Sequence, residues 1–328
     1  MQQIMELGNQ FIIWLQGFGD GLTPIMKALS YLGIEEFFII FIVCVWAVNY
    51  DLSIKLGVIL MLSSSTNTIF KTLFAQPRPY WIDMQIQNTW GAETGFGLPS
   101  GHSQTPFALY GLLAAKLKKR WLTILIAILI FLIGFSRIMM GVHFPTDVLL
   151  GWLVGGLLLW LFIKYEDRVS AWFKDRSLFK NILIFFIISL ALIALVSVNS
   201  WIHSEDPIQD IWMVNSMMVH PGEPINPFNI SSVITPAATL FGLAFGVVWT
   251  GSRGGYVQKK DTKHILLYFF TGLIVALLIK EGLGFIFHDV TGLLGYSLRF
   301  FRYALMGFWL VGLAPALFIR LGWANKAS

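Results

Sequence analysis

Residues 121–164 read WLTILIAILIFLIGFSRIMMGVHFPTDVLLGWLVGGLLLWLFIK. Two predominantly apolar runs of about twenty residues, the length that crosses a bilayer as a helix, flank the segment SRIMMGVHFPTD. That segment holds Arg137, His143 and Asp147. Ionisable groups in such a setting are costly and mark function. The stretch therefore predicts two transmembrane helices, over about 121–139 and 146–164, with a chemically equipped turn between them. Gly141 permits a tight turn, and Pro145 suits the first turn of the second helix.

The same pattern extends over the chain. Of its 328 residues, 56% are hydrophobic and 12% charged, about half the charged share of a soluble domain. Further apolar runs over about 34–49, 54–75, 102–118, 181–198, 231–250, 264–285 and 303–320 give about nine spans. The expected fold class is all-α: a polytopic transmembrane helical bundle. Ile4, Leu7, Phe11, Trp14, Leu15 and Phe18 fall at helical spacing opposite Gln3, Glu6 and Gln10, which predicts an N-terminal helix lying in the outer interface. The net charge of +5 comes from loops between apolar runs, so no nucleic-acid partner is expected. The single cysteine, Cys44, excludes an intrachain disulfide. The first ten residues, MQQIMELGNQ, lack the basic start of a cleaved signal peptide.

Basic loops face the cytoplasm. Lys116, Lys118, Lys119 and Arg120 lie between the third and fourth spans. Lys164, Arg168, Lys174, Arg176 and Lys180 follow the fifth, and Arg253, Lys259, Lys260 and Lys263 follow the seventh. Residues 199–230 contain no Lys or Arg but hold Glu205, Asp206, Asp210 and Glu223. The N-terminus is therefore expected outside and the C-terminus inside. His203, Glu205, Asp206, Asp210 and His220 in this outer loop show no metal-ligand spacing.

Three polar clusters then fall on the same non-cytoplasmic face. The first is Lys71 with Arg78-Pro79, where Pro77 and Pro79 break the helix and leave Arg78 on a turn. A guanidinium pairs donors with phosphate oxygens and a lysine adds a point charge. The second is Pro99-Ser100-Gly101-His102, at the start of a helix. Glycine lets backbone N–H groups approach an anion, Ser100 adds a hydroxyl, and His102 is placed to protonate a leaving oxygen. The third is Ser136-Arg137 with His143 and Asp147. Asp147, four residues after His143, can orient the imidazole and fix its tautomer. A neutral imidazole attacking phosphorus, with Arg137, Arg78 and Lys71 on the equatorial oxygens, is the chemistry this collection suits. Taken singly, each cluster also reads as a snorkelling anchor, a capped helix start or a structural His–Asp pair; their convergence on one face distinguishes them.

These clusters resemble the tripartite signature of the type 2 phosphatidic acid phosphatase superfamily, which embraces lipid phosphatases, glucose-6-phosphatases and vanadium haloperoxidases. Every signature residue is present over 71–147. The resemblance implies a metal-independent reaction without a cofactor: a phosphohistidine at His143, His102 as general acid and then base, Asp147 supporting His143, and Lys71, Arg78, Ser100, Gly101 and Arg137 binding the phosphate. The stretches Phe70-Lys71, Arg78-Pro79-Tyr80-Trp81 and Glu93-Thr94-Gly95 are similar to the glucose-6-phosphatase branch.

The resemblance divides the chain into a phosphatase core over 1–200, which includes the interfacial helix and six core helices, and a three-span extension over 201–328 with the outer loop 199–230. The expected activity is hydrolysis of a phosphate monoester or diphosphate of a membrane lipid, phosphatidate or polyprenyl diphosphate, in a prokaryotic plasma membrane. A small sugar phosphate and transfer of the phosphoryl group to another alcohol are the alternatives. Trp81, Trp90 and Tyr80 are expected at the membrane interface. Lys280, Glu281, Arg299 and Arg302 are expected to anchor helix ends or to meet a second phosphate.

Overall fold

A computed structural model describes residues 2–203 and 208–327; Glu205 and Asp206 lie outside the described residues. The helices are α1 (Gln2–Gln16), α2 (Thr23–Tyr31), α3 (Glu35–Val48), α4 (Tyr50–Phe74), α5 (Pro79–Ile82), α6 (Gly101–Leu117), α7 (Arg120–Met139), α8 (Pro145–Lys174), α9 (Leu178–Ile202) and α10 (Asp210–Val219). They continue with α11 (Ser231–Gly251), α12 (Thr262–Leu277), α13 (Leu283–Ile286), α14 (Gly292–Phe308) and α15 (Ala314–Arg320). Two short strands, β1 (Val257–Gln258) and β2 (Ala324–Asn325), pair antiparallel.

All nine apolar runs are helical, but fewer cross by length and composition. Among the described residues, seven helices are long and apolar enough, or eight if α2 and α3 form one span bent by 50°. The difference has two causes. Run 34–49 yields only the 14 residues of α3, because the break at residues 32–34 separates it from α2. The run at 102–118 yields the 17-residue α6, whose opening Gly-His-Ser-Gln-Thr-Pro is polar and turned into the protein. This is an all-α, polytopic membrane protein.

The chain divides into two compact units. Unit 1 comprises residues 1–37, 66–163 and 195–230. Its core gathers Ile12 and Leu15 of α1, Tyr80 and Trp81 of α5, Phe96, Met139 and Met140 at the end of α7, Val142, Phe144 and Ile225. Trp81 meets Phe96 and Trp212, and Phe96 meets Phe228, so the segment that carries Trp212 and Phe228 packs on the same aromatic centre. Asn215 Nδ2 ties α10 to α5 by donating to the Trp81 carbonyl at 2.9 Å. On α1, Gly8 and Ile12 face this core, whereas Ile4, Leu7, Phe11 and Trp14, followed by Phe18 in the next turn, form an exposed apolar stripe. Leu15, grouped with that stripe by sequence, is buried instead. Tyr80 and Trp81 are fully buried; they build the core and are not interface anchors.

Two glycines on one face of α8 bring it against α6. A Cβ on Gly151 would sit 2.7 Å from the Ser100 carbonyl oxygen, and one on Gly155 would sit 2.4 Å from that of Gln104. Small residues at this spacing allow close backbone approach of membrane helices. The consequence is functional, because Asp147 lies one turn before Gly151 and its carbonyl accepts the Ser100 N–H at 3.0 Å. Gly151→Ala is expected to cost about 1–3 kcal/mol, the usual penalty of overpacking, and to reduce activity; a thermal melt and a turnover assay check both.

Unit 2 comprises residues 38–65, 164–194 and 231–328. α11 and α14 pack backbone to backbone: a Cβ on Gly242 would lie 2.0 Å from the Ala304 carbonyl oxygen. Trp46, Tyr268, Trp309 and Phe318 centre its core. Arg299 donates to Thr235 Oγ1 at 3.0 Å, Arg299 and Arg302 both lie against the Tyr303 ring, and Lys280 pairs with Glu281 at 3.2 Å. These contacts are those of helix anchoring.

Candidate active site

Within unit 1 the three clusters meet. Lys71 ends α4, and the chain turns at Ala75 before Pro77-Arg78-Pro79. Arg78 has extended backbone (φ −91°, ψ 158°) as the residue capping α5, with Pro79 in the first turn. Its guanidinium is fully buried and all its donors are used. Nε donates to the Gly95 carbonyl at 2.7 Å, Nη1 to the Val142 carbonyl at 3.0 Å, and Nη2 to the Phe96 carbonyl at 3.3 Å. Nη1 also lies 3.3 Å from His143 Nε2, and Nη2 donates to Glu93 Oε2 at 3.0 Å.

His143 sits in the turn between α7 and α8. Its Nδ1 is 3.2 Å from Asp147 Oδ2, which also accepts the Phe144 N–H at 3.0 Å. A carboxylate at Nδ1 places the proton there and leaves the Nε2 lone pair facing Arg78. Burial, followed by the charges of Arg78 and Arg137, holds the His143 imidazole well below the usual histidine range. It is therefore neutral at physiological pH, as a nitrogen nucleophile must be.

Arg137, in the last turn of α7, is equally buried. Nη1 reaches Ser30 Oγ at 3.5 Å, Nη2 donates to Glu93 Oε1, and the guanidinium lies over the Trp90 ring, 4.6 Å from its centre. Ser136 Oγ is 2.7 Å from Ser30 Oγ and donates to the Ile133 carbonyl, so Ser136 acts on the site by fixing Ser30 beside Arg137.

Ser100 precedes α6 with extended backbone. Asn67 Nδ2 donates to the Pro99 carbonyl at 3.1 Å and to Gln104 Oε1 at 2.9 Å, and a Cβ on Gly101 would approach Asn67 Oδ1 to 3.2 Å. The glycine lets the loop press onto α4. The His102 ring stands edge-on to Trp90, their centres 5.8 Å apart. Four buried polar atoms here have no protein partner: Ser100 Oγ, Ser103 Oγ, His102 Nε2 and Arg137 Nε. Buried polar groups are otherwise almost always satisfied. Two of these atoms, His102 Nε2 and Arg137 Nε, belong to side chains whose charge also acts on Glu93.

Glu93 closes the arrangement. Burial alone would raise its carboxyl, but Arg78, Arg137, His102 and Lys71 together hold it far below the usual carboxylate range. It is ionised at every physiological pH, and this mutual influence places Lys71 and His102 in the same electrostatic neighbourhood. In the sequence Glu93 stands out only within the stretch similar to the glucose-6-phosphatase branch, Trp90 is expected at the membrane interface rather than over Arg137, and nothing marks Ser30 or Asn67. A carboxylate nine residues before His102, with three glycines between, was the only available signal. All eight expected site residues do gather within unit 1.

The chain is 36% identical over 77 residues to lipid A 4'-phosphatase of Bacteroides thetaiotaomicron, covering 24% of this chain and 34% of that protein. It is 27% identical over 163 residues to phosphatidylglycerophosphatase B of Bacillus subtilis, covering 45% and 77%. It is 30% identical over 185 residues to glucose-6-phosphatase 3 of Rattus norvegicus, covering 49% and 54%. The chain thus spans about a third of the first relative and about half of the last. The PAP2 superfamily matches residues 52–171, and the transmembrane extension of PAP2 superfamily phosphatases matches 234–326. With the signature residues assembled around one imidazole and both segments matched, this chain belongs to the PAP2 superfamily.

Proposed function

We propose that this protein is an integral membrane phosphatase that removes a terminal phosphate from a lipid monoester or diphosphate through a phosphohistidine at His143. The observation that carries the reading is the imidazole held at Nδ1 by Asp147 with its Nε2 facing Arg78. Nε2 attacks phosphorus while the bond to the leaving oxygen breaks. Arg78, Arg137, Lys71, Ser100 and the backbone at Gly101 hold the equatorial oxygens, and His102 gives a proton to the leaving oxygen. His102 then takes a proton from water, whose oxygen attacks phosphorus, breaks the P–N bond and releases phosphate.

A lipid substrate is supported by the lipid phosphatases among the relatives and by the position of the site at helix ends. In α4, α6, α7 and α8 the site-bearing end is opposite the end carrying Lys55, Lys116, Arg120 or Lys164. By the bias of basic residues to the cytoplasmic side, the site opens on the non-cytoplasmic face, with the N-terminus outside and the C-terminus inside, in a prokaryotic plasma membrane. The exposed stripe of α1 suits an interfacial helix beside it. All site residues fall within 1–200, which we take as the phosphatase core, and 201–328 as its extension.

Purified protein is expected to release phosphate from phosphatidate or a polyprenyl diphosphate, to do so in EDTA, and to be inhibited by vanadate. Activity confined to hexose phosphates would replace the lipid reading with the sugar-phosphate one. Activity lost in EDTA and restored by a divalent cation would overturn the metal-independent step.

A further inference from the structure

The two arginines assigned to the phosphate are joined by a residue of the protein itself. Glu93 gives Oε2 to Arg78 Nη2 at 3.0 Å and Oε1 to Arg137 Nη2. One anion with two oxygens on two guanidinium groups is the arrangement a phosphate would adopt on the same pair. We propose that Glu93 is a specificity-determining residue: it holds the phosphoryl seat, so that a doubly charged terminal phosphate displaces it and a singly charged phosphodiester does not. This inference rests on the reading that Arg78 and Arg137 receive the phosphate.

The argument is an exchange. Displacing Glu93 removes one negative charge from the arginines. A monoester or a diphosphate terminus returns two, with three equivalent oxygens. A diester returns one, on two free oxygens, with a second substituent to accommodate, so it gains nothing over the carboxylate it would replace. A ligand shifts an equilibrium only by its differential affinity. The filter has a purpose at a membrane surface, where most phosphate groups belong to phosphodiesters of the bilayer and an unguarded cluster of three cations would collect them.

The surroundings permit the exchange. The backbone at Glu93 is pinned: its N–H donates to Tyr80 Oη and its carbonyl accepts from the same hydroxyl, each at 3.2 Å. The neighbouring Thr94 carbonyl accepts the Asn226 N–H at 3.0 Å, and that of Gly95 accepts from Arg78. The side chain is 21% exposed, unlike the buried arginines. Displacement is a side-chain rotation toward that opening, with the loop held still. The charged or titratable groups around Glu93 are Arg78, Arg137, His102, Lys71 and Tyr80.

The test measures competitive inhibition by a soluble monoalkyl phosphate and a dialkyl phosphate of equal chain length. In wild type the monoalkyl compound is expected to bind much the tighter. In Glu93→Gln and Glu93→Ala both Ki values are expected to fall by about tenfold or more, the scale of a charge-assisted hydrogen bond no longer opposed, because the displacement that both ligands must make is gone, and the dialkyl compound becomes an effective inhibitor. Unchanged or weaker binding of both compounds overturns the proposal; weaker binding would make Glu93 a support for the arginines. A wild-type measurement needs no variant: from about pH 8 to about pH 5 the monoalkyl phosphate becomes a monoanion, and its Ki is expected to rise toward that of the diester. A monoalkyl Ki that stays level over this range also overturns it. If the monoalkyl phosphate does not inhibit wild type, or inhibits Arg137→Ala equally, the phosphate-site reading itself has failed, a result distinct from unchanged Ki values in the Glu93 variants.

Discussion

Replacing His143 by alanine is expected to reduce phosphate release by about 10⁴-fold or more, the scale seen when a covalent nucleophile is removed. The imidazole supplies the attacking atom, and its Nε2 lies 3.3 Å from Arg78 Nη1. The variant also leaves Asp147 without its histidine partner in a buried site, which costs about 1–3 kcal/mol. Stability and chemistry are separated by trapping. Wild type quenched during turnover should carry protein-bound phosphate that is stable in alkali and lost in acid, as a phosphorus–nitrogen bond is. His143→Ala should carry none, yet still bind vanadate through the arginines. Labelled protein in the alanine variant, or full turnover, would remove His143 from the role. Because burial and two guanidinium groups keep the imidazole neutral, the acid limb of kcat/KM should not fall at the ordinary histidine pKa on account of His143.

The second large effect concerns His102. His102→Ala is expected to lower turnover of an alkyl phosphate by about 10²–10⁴-fold, the contribution of a positioned general acid. An alkoxide leaving without a proton is a poor leaving group, and the unpartnered Nε2 of His102 is the available source. An aryl phosphate, whose phenolate leaves unaided, should lose far less in the first step. The signature is therefore a split between the two substrates, measured as the burst of phenolate, with slow release of phosphate afterwards because the same residue activates water. Equal loss on both substrates would make the His102 ring a packing element against Trp90 and Gly33.

Much of this site was legible from local pattern. Proline on both sides of Arg78 predicted a turn, and Arg78 is the extended residue before α5. The i, i+4 spacing of His143 and Asp147 predicted their contact, and it is present. What pattern could not show is contact across distance in sequence. Glu93 pairs with Arg137 from 44 residues away, and Ser30 meets Ser136 across 106. No periodicity connects such residues. Tyr80 and Trp81 illustrate the same limit in reverse: beside a span end they resemble interface anchors, but Asn215 and Trp212 cover them.

Hydropathy, proline and charge already specify a helical membrane protein with cations, histidines and a carboxylate at one set of helix ends, because each acts locally or through the bilayer. Folding in three dimensions supplied what pattern could not: a second carboxylate, Glu93, lies between the two arginines, and α2 and α3 meet at a bend of 50°. Those outcomes depend on which backbones pack closely enough to touch, as Gly151 and Gly155 allow α8 to touch α6, and close packing is a property of surfaces that meet only in the folded chain.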